Sequence, residues 1–487
     1  MNYKYVFKKI GNILLIESLL FLISMMVSIY YKENYMPFLI TIIITSIIGI
    51  SLSLIKAKRT TYYAKEGLLI TTLSWVVLSI FGALPFIIDG CIPSFFDDFF
   101  ETVSGFTTTG SSILTEVEIL PKGILFWRSF THWIGGMGIL MFVIAILPMA
   151  NDNSMNIIKN ESPGPFKGKL VPKLGNTAKW LYGIYFFLTI TEILLLYVGG
   201  LPLFDSVLNS FATAGTGGFA IKNTSIAFYN SAYVEYVIGI FMMLFGINFN
   251  VYFFIIMRKL KLAFSNEEMK SYLLIILASS LLIAFNILSI TSNAAEAFRL
   301  SFFQVSSIIT TTGFSTTDFN LWPQFSKIIL FILMFFGACG GSTGGGIKIS
   351  RIVIAVKKIF NDLTSLVHPN AVKCIKFEGK KVEDKQVNKI GYFIILYFVL
   401  IGIITLIVSL DNFDFETTLT SVVACISNIG PGLGLVGPMG NFSILSDLSK
   451  IVLSIAMLLG RLELYPIILF LSPTFYIRNK RVNNSNI

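Results

Sequence analysis

Four short polar stretches that end in glycine recur along the chain at intervals of roughly 100 residues. Glycine adopts backbone angles that a Cβ atom resists, so successive carbonyl oxygens beside it can point in the same direction. A ring of such carbonyls replaces the hydration shell of a cation in a selective pore, and four turns of one chain would complete a ring. The stretches are residues 107–110 (Thr-Thr-Thr-Gly), 215–218 (Gly-Thr-Gly-Gly), 310–313 (Thr-Thr-Thr-Gly) and 427–430 (Ser-Asn-Ile-Gly). We align Gly110, Gly217, Gly313 and Gly430 as the equivalent glycines.

A short helical segment precedes each turn, and a longer apolar segment follows it. The short segments cannot cross a membrane, so we expect re-entrant pore helices whose irregular ends are buried in protein or line water. An acid stands near the start of each one, where unpaired helix amides leave a positive end, and simple capping accounts for most of that pattern. The segments are 94–107, 203–214, 297–310 and 414–427, with Asp98, Asp205, Glu296 and Glu416 near their starts.

The composition is that of an integral membrane protein. Hydrophobic residues make up 54% of the 487 residues and charged residues 13%, against about 25% charged residues in soluble domains. The four cysteines show neither a disulfide pattern nor zinc-ligand spacing. Apolar runs long enough to cross the hydrocarbon core recur throughout. We expect spans near 13–31, 37–55, 68–88, 124–148, 180–199, 233–257, 271–291, 390–410 and 450–471, with an interrupted one over 326–359.

The net charge of +10 comes from 37 Lys and Arg against 27 Asp and Glu, and it indicates topology, not nucleic-acid binding. Most basic residues fall on one side of the expected spans, together with both termini, and the positive-inside rule makes that side cytoplasmic. The four turns then lie on the opposite side, where acidic residues outnumber basic ones. An acidic mouth would concentrate cations, although any outer loop tends to be poor in basic residues.

The interrupted segment 326–359 is too long for one span, since a continuous helix would measure about 50 Å at 1.5 Å per residue. Six of the ten residues from 337 to 346 are glycine, so we expect the helix to break there and leave a flexible loop beneath the turns. Arg461 lies inside the last expected span, where a buried charge is costly unless it faces water or a partner. It would repel cations and donate hydrogen bonds to the glycine loop. The alternatives are a plain packing break for the loop and a structural ion pair, with Glu463 or another acid, for the arginine.

Further motifs, taken with the four turns, make the chain similar to the Trk/Ktr/HKT superfamily of potassium transporters, and most closely to its bacterial TrkH-type pore subunits. The motifs run across nearly the whole chain in the family's order, and the two extra N-terminal spans resemble the TrkH-type branch. They are 127–129 (Trp-Arg-Ser), 132–138 (His-Trp-Ile-Gly-Gly-Met-Gly), 161–164 (Glu-Ser-Pro-Gly), 340–348 (Gly-Gly-Ser-Thr-Gly-Gly-Gly-Ile-Lys), 430–434 (Gly-Pro-Gly-Leu-Gly) and 460–463 (Gly-Arg-Leu-Glu).

This resemblance implies an all-α integral membrane protein with four M1–pore helix–M2 repeats around a single pore, where M1 and M2 are the two helices that flank each pore helix. We divide the chain into an N-terminal helix pair in 1–60 and repeats at 61–150, 151–262, 263–372 and 373–487. The implied potassium ligands are Thr108, Thr109, Gly110, Gly215, Thr216, Gly217, Thr311, Thr312, Gly313, Asn428, Ile429 and Gly430. The implied gate is Gly340, Gly341, Ser342, Thr343, Gly344, Gly345 and Gly346, together with Arg461.

For function, the resemblance implies potassium uptake across the bacterial cytoplasmic membrane through a gated, selective, channel-like pore. Potassium is then the transported ion, and the chain itself binds no cofactor. The implied partners are a second copy of the chain in a homodimer, membrane lipids, and a cytoplasmic ring of nucleotide-binding regulatory subunits similar to TrkA. Gly110 favours potassium, because sodium-preferring plant relatives have serine at that position.

Two other functions stay open. The first is ion-coupled symport of potassium with protons or sodium; all four repeats enter from the same side, unlike inverted-repeat transporters, which favours a channel-like pore. The second and more distant one is a membrane-embedded enzyme, which would need a convergent set of acids, histidines or cysteines that the sequence does not show.

Overall fold

The computed structural model describes residues 2–56, 64–138, 174–369 and 374–472. In this part of the chain the structure is mostly helical, with a small two-stranded hairpin formed by β1 (Lys376–Phe377) and β2 (Lys380–Lys381). Six of the described helices are long and apolar enough to cross a membrane, and the number rises to seven if a bent helix pair is counted as one span. The prediction of an all-α membrane protein is confirmed. The motif 161–164 and the last part of the expected span 124–148 lie outside the described residues.

Two long apolar helices, α1 (Tyr3–Tyr30) and α2 (Met36–Ser53), form the N-terminal pair. The turn between them reaches the first repeat. There the Glu33 carboxylate accepts hydrogen bonds from the backbone N–H groups of Lys122 (3.0 Å) and Gly123 (3.1 Å). These amides open a later helix, whose positive end the carboxylate complements. The pair is thereby attached to the first repeat.

Four repeats follow, each with a long first helix, a short second helix and a third helix. The short helices have 12 to 16 residues, about 20 Å at 1.5 Å per residue and less than the hydrocarbon thickness. In repeat one the helices are α3 (Ala64–Gly82) with its short extension α4 (Leu84–Asp89), α5 (Phe95–Phe106) and α6 (Lys122–Gly136). In repeat two they are α7 (Leu174–Val198), α8 (Leu203–Gly215), α9 (Ala232–Phe245) and α10 (Phe249–Ile256), followed by the short α11 (Leu260–Phe264).

Repeats three and four have the same order of helices. Repeat three consists of α12 (Glu267–Ile287), α13 (Ala294–Ile309), α14 (Gln324–Phe335) and α15 (Ile349–Val367). Repeat four consists of α16 (Asp384–Val408), α17 (Phe415–Ser427), α18 (Asp447–Arg461) and α19 (Tyr465–Leu471). The gap between α14 and α15 covers the glycine run, so the predicted break in 326–359 is confirmed.

The third helix is also interrupted in repeats two and four, where the sequence analysis expects single spans. In repeat two, α9 and α10 meet at 90°, so the segment expected as a span over 233–257 is not one continuous helix. In repeat four, Glu463 and Leu464 follow α18 with left-handed φ angles of 59° and 63°, so 450–471 is not one helix either. Apolar composition predicts burial in the membrane but contains no information about a change in helix direction.

In the core of repeat one, three other helices contact the Trp127 side chain of α6. Its ring lies 4.3 Å from that of Phe21 in α1 and 6.0 Å from that of Phe106 in α5. The indole N–H donates a hydrogen bond to the carbonyl of Gly82 at the end of α3 (2.9 Å). A buried tryptophan keeps its polar group satisfied in this way. The motif residue therefore packs the N-terminal pair, the short helix and both flanking helices together.

Candidate cation filter and the loop beneath it

Each short helix ends in the same turn. The first or second residue beyond the helix is left-handed, with φ of 55° at Thr108, 53° at Thr216, 60° at Thr311 and 56° at Asn428. The next backbone N–H then donates to a carbonyl inside the helix, as from Thr109 to Ser104 and from Ile429 to Ala424, both at 2.9 Å. This is the Schellman helix end. Three of the four left-handed residues are threonines, whose β-branch disfavours that conformation, so their surroundings must hold the turns.

A left-handed glycine completes each turn, and the four glycines form a ring. Their φ angles are 80° at Gly110, 72° at Gly218, 84° at Gly313 and 107° at Gly430. Each glycine faces the residue that precedes the glycine of the next repeat. A Cβ atom on Gly110 would overlap with the carbonyl oxygen of Gly217, one on Gly218 with that of Thr312, and one on Gly313 with that of Ile429, while one on Gly430 would lie 3.0 Å from that of Thr109. The ring therefore closes from repeat four back to repeat one.

In the second filter, the glycine that belongs to the ring lies one residue later than the alignment made on sequence predicts. Gly218, and not Gly217, has the left-handed φ angle and the close approach to the next repeat. Gly217 takes the position of Thr109, and Gly215 takes that of Thr107. Two adjacent glycines mislead the sequence alignment, since only the backbone angles show which of them makes the turn.

Hydrogen bonds between side chains of the turn residues hold the turns in place. The hydroxyl groups of Thr107 and Thr109 lie 2.8 Å apart, and those of Thr310 and Thr312 lie 2.7 Å apart. In repeat four, the amide of Asn428 donates to the hydroxyl of Thr109 (2.9 Å) and to a backbone carbonyl of α18 (2.9 Å). The irregular fourth filter is thus tied directly to the first. In these contacts the hydroxyl and amide groups bond to one another and to α18, and not to the carbonyl oxygens of the turns.

Two cavities lie on opposite sides of the turns. The ring glycines Gly110, Gly218, Gly313 and Gly430 line the first cavity. The second is lined by the glycine loop, Lys348 and Arg461. A cation that passes through the ring would therefore meet the loop next.

The glycine loop between α14 and α15 lies directly against the turns of repeats three and four. The backbone N–H of Gly345 donates to the hydroxyl of Thr311 (2.7 Å). A Cβ atom on Gly345 would overlap with the carbonyl oxygen of Ser427, so the loop approaches the end of α17 as closely as backbone permits. Glycine is needed here because a side chain would push the loop away from the filter. The predicted position of the loop next to the turns agrees with this geometry.

Arg461 is the last residue of α18 and not a residue in the middle of a span. Its guanidinium group donates one hydrogen bond to the carbonyl of Thr343 in the loop (2.8 Å). It donates two more to the carbonyls of Gly135 (2.5 Å) and Gly136 (2.7 Å) at the end of α6. One side chain of repeat four therefore connects the loop of repeat three to the third helix of repeat one.

Glu463, one ion-pair partner considered for Arg461, forms a salt bridge with Arg351 at 2.6 Å. The Arg351 guanidinium also lies 4.0 Å from the ring centroid of Phe393. Arg351 belongs to the first turn of α15, immediately after the loop. This pair therefore attaches the far end of the loop to repeat four.

Two charged residues to which the sequence analysis assigns no role, Glu268 and the motif residue Lys348, also hold the loop. Glu268 is 3% exposed and accepts hydrogen bonds from the backbone N–H groups of Gly340 (2.7 Å) and Ser350 (2.9 Å). It thereby joins the two ends of the loop. Lys348 is 2% exposed and donates to two glycine carbonyls of the loop. An acid at a helix start and a lysine after a glycine run are common features, so the sequence contains no specific signal for either role.

The acids expected near the starts of the short helices all lie in or beside the first turns. Asp98, Asp205, Glu296 and Glu416 occupy these positions. Ahead of Glu416, Asp414 caps α17 by accepting a hydrogen bond from the N–H of Thr417 (3.0 Å). Hydrogen bonding from the Thr417 side chain and from its backbone N–H holds the pKa of the Asp414 carboxyl below its ordinary value. The opposite, negative ends of the four helices face the ring, where they favour a cation.

Taken together, the fold and the site define an α-helical membrane protein in which four repeats of one chain surround a single ring of backbone turns, an arrangement suited to a cation. A family model described as "TrkH: Cation transport protein" matches residues 34–476. The chain therefore belongs to the TrkH family of cation transport proteins, which is a family of transporters and not of enzymes.

Relatives and solved structures agree with this assignment. The chain is 34% identical to the Trk system potassium uptake protein TrkG of Escherichia coli, over 96% of this chain and 97% of that protein. It is 34% identical to the Trk system potassium uptake protein TrkH of the same organism, over 98% and 100%. The crystal structure of the potassium transporter TrkH from Vibrio parahaemolyticus matches with a TM-score of 0.88 and 31% identity, covering 98% of this chain and 100% of that one.

Proposed function

We propose that the chain is the pore subunit of a Trk-type system for potassium uptake across the bacterial cytoplasmic membrane. The observation that carries the proposal is the closed ring of four glycine-terminated turns, each of which contacts the next repeat. Four strands of one chain can offer carbonyl oxygens to one axis, which suits a dehydrated cation. The names of the relatives, Trk system potassium uptake proteins, support potassium as that cation.

The proposed potassium ligands are the three residues of each turn that begin with the left-handed one. The negative ends of the four short helices point at the same space and lower the energy of a cation there. Gly215 takes the position of Thr107 and falls outside this set. The ligands are Thr108, Thr109 and Gly110; Thr216, Gly217 and Gly218; Thr311, Thr312 and Gly313; and Asn428, Ile429 and Gly430.

The glycine loop, together with Arg461, is the proposed gate on the cytoplasmic side of the filter. Its support is the contact between Gly345 and Thr311 and the bridge that Arg461 makes to Thr343. A guanidinium group about 4 Å from a potassium ion repels it by about 4 kcal/mol at an effective dielectric of 20. That repulsion corresponds to roughly a thousandfold slower passage. Opening requires the loop to leave the filter and Arg461 to release its carbonyl partners.

The proposed assembly is a homodimer with both termini in the cytoplasm and a cytoplasmic ring of nucleotide-binding regulatory subunits. The basic residues near the expected cytoplasmic ends of the spans support the orientation, and the Trk system of the relatives' names supports an assembly with further components. The order of the helices supports an N-terminal pair in 1–60 and repeats at 61–150, 151–262, 263–372 and 373–487.

Rubidium uptake into liposomes that contain the purified protein tests the proposal. A passive selective pore takes up rubidium along the electrical gradient alone and conducts sodium poorly. A symporter requires an imposed proton or sodium gradient for the same uptake. The Arg461→Ala variant serves as a sample in which the proposed gate is weakened. If neither the folded wild type nor this variant conducts rubidium under any gradient, the protein is not a potassium pore.

A further inference from the structure

A buried ion pair in repeat one belongs to neither the filter nor the loop. Nε of Arg128 in α6 lies 2.7 Å from Oε1 of Glu101 in α5, and the two residues are 3% and 1% exposed. Removing two charges from water is costly, and further hydrogen bonds are needed to offset that cost. In this pair the further bonds lead to the strands that leave the filter.

Glu101 holds the strand that follows Gly110. Its Oε1 atom accepts a hydrogen bond from the hydroxyl of Ser112 (3.0 Å), and its Oε2 atom accepts one from the backbone N–H of Ile113 (2.9 Å). Both oxygens of one carboxylate are therefore bonded to this strand while one of them also pairs with Arg128. Hydrogen bonds to a charged acceptor are about twice as strong as neutral ones.

Arg128 holds the equivalent strand of repeat two. Its NH1 group donates to the carbonyl of Ala220 (2.8 Å). The guanidinium group also lies 3.6 Å from the ring centroid of Phe219, which follows Gly218 directly. A planar guanidinium can pair, donate and stack in this way, whereas a lysine amine cannot. The pair thus connects the strands that leave two neighbouring filters.

The other repeats have no charge at the corresponding position. At the same distance before the left-handed residue, the short helices carry Asn209, Gln304 and Ser421. Gln304 makes a single weak bond to the strand after its filter, from Nε2 to the carbonyl of Phe314 (3.4 Å). A charged connection between the strands that leave two neighbouring filters is therefore a property of the contact between repeats one and two.

We propose that Glu101 and Arg128 are positioning residues that set the selectivity of the filter, by fixing the separation of the strands after Gly110 and Gly218. This inference rests on the proposed potassium function. The two glycines are neighbours in the ring, so the pair prevents this side of the ring from contracting around the smaller sodium ion. A neutral pair also leaves no net charge beside the path of the cation.

The test compares rubidium and sodium uptake into liposomes, with the melting temperature of each protein in detergent as a check on folding. Arg128→Lys keeps the charge but loses the fork that reaches Ala220. Ser112→Ala removes the hydroxyl that donates to Glu101 and accepts from the backbone N–H of Leu114 (3.1 Å), and Ser112→Thr restores that hydroxyl. The matched control is Glu235→Gln, because Glu235 also joins a third helix to a short helix, through Arg299 at 3.0 Å.

Arg128→Lys and Ser112→Ala should lower the ratio of rubidium to sodium uptake by roughly fivefold, the effect of about one lost hydrogen bond. Ser112→Thr and Glu235→Gln should keep the wild-type ratio. The inference is overturned if Ser112→Ala keeps the wild-type ratio, or if Glu235→Gln lowers the ratio equally. A set of folded proteins without any rubidium uptake would instead reject the proposed function itself.

Discussion

The imidazole ring of His132 fills the space that a side chain on Gly217 would need, because a Cβ atom on Gly217 would overlap with that ring. The ring is buried in α6, and its Nε2 atom accepts a hydrogen bond from the backbone N–H of Phe219 (3.3 Å). The side chain of repeat one therefore fills the volume behind the second filter. The other filters carry their own side chains at the position of Gly217, namely Thr109, Thr312 and Ile429.

A methyl group on Gly217 should therefore destabilise the protein. We expect Gly217→Ala to lower the free energy of unfolding by about 1–3 kcal/mol through overpacking. Combining it with His132→Ala should recover part of that loss, because the smaller side chain vacates the space. Thermal unfolding of the wild type, both single variants and the double variant measures a coupling that should exceed about 0.5 kcal/mol. Strictly additive losses would show that the two residues do not compete for one space.

The shifted register of the second filter makes Gly218 the counterpart of Gly110. Gly218→Ser should admit more sodium, as Gly110→Ser should, because a side chain there strains a left-handed residue and meets the carbonyl of Thr312. The ratio of rubidium to sodium flux in liposomes measures the effect. Gly402→Ser in α16 is a suitable control, since a Cβ atom there meets nothing within 4 Å. A wild-type ratio in Gly218→Ser would reject the assigned register.

Loss of the Arg461 side chain should open the pore. Arg461→Ala removes both the positive charge and three hydrogen bonds to carbonyl oxygens, so basal rubidium flux without regulatory subunits should rise at least about tenfold, the equivalent of 1.4 kcal/mol. Selectivity should be retained, because the filter lies on the other side of the cavity. Arg461→Lys keeps the charge and should have an intermediate flux. A folded Arg461→Ala protein as quiet as the wild type would rule out this residue as part of the gate.

Glu268 should be needed to keep the loop closed. Glu268→Ala leaves the backbone N–H groups of Gly340 and Ser350 without their acceptor, at a cost of about 1–3 kcal/mol for each buried donor. We expect faster hydrogen exchange at these two amides and a higher basal rubidium flux. The neighbouring Glu267→Ala is the control, because that carboxylate contacts Lys357 instead. Equal effects of the two substitutions on rubidium flux would show that the hydrogen bonds from Glu268 to the loop do not keep it closed.

The cap of α17 should stabilise the protein only where Asp414 is ionised. Because its folded pKa lies below the ordinary value of 3.8, the stabilisation is present above that value and is lost as the pH falls through the folded pKa. Asp414→Ala should cost about 1 kcal/mol at neutral pH, the usual contribution of an N-cap, and progressively less in acid. Melting temperatures measured from pH 7 down to about pH 3 test this. A difference that stays constant with pH would assign the effect to something other than the charged cap.

Much of the architecture is predictable from sequence because it depends on local composition. Apolar runs predict the helices that cross the membrane, and short segments before polar turns predict the pore helices closely, as in 203–214 against the observed Leu203–Gly215. The glycine run in 337–346 predicts the break between α14 and α15, since glycine weakens a helix wherever it clusters. Each of these properties belongs to a few consecutive residues and needs no knowledge of their neighbours in space.

The tertiary structure alone decides the features that depend on residues far apart in the chain. The choice of Gly218 over Gly217 follows from the His132 ring behind one glycine and the next repeat against the other. Likewise, the contacts of Glu268 with the loop and of Glu101 with Arg128 join different elements. Buried polar groups must find partners wherever the packed helices bring them, so their roles are determined by the assembled fold.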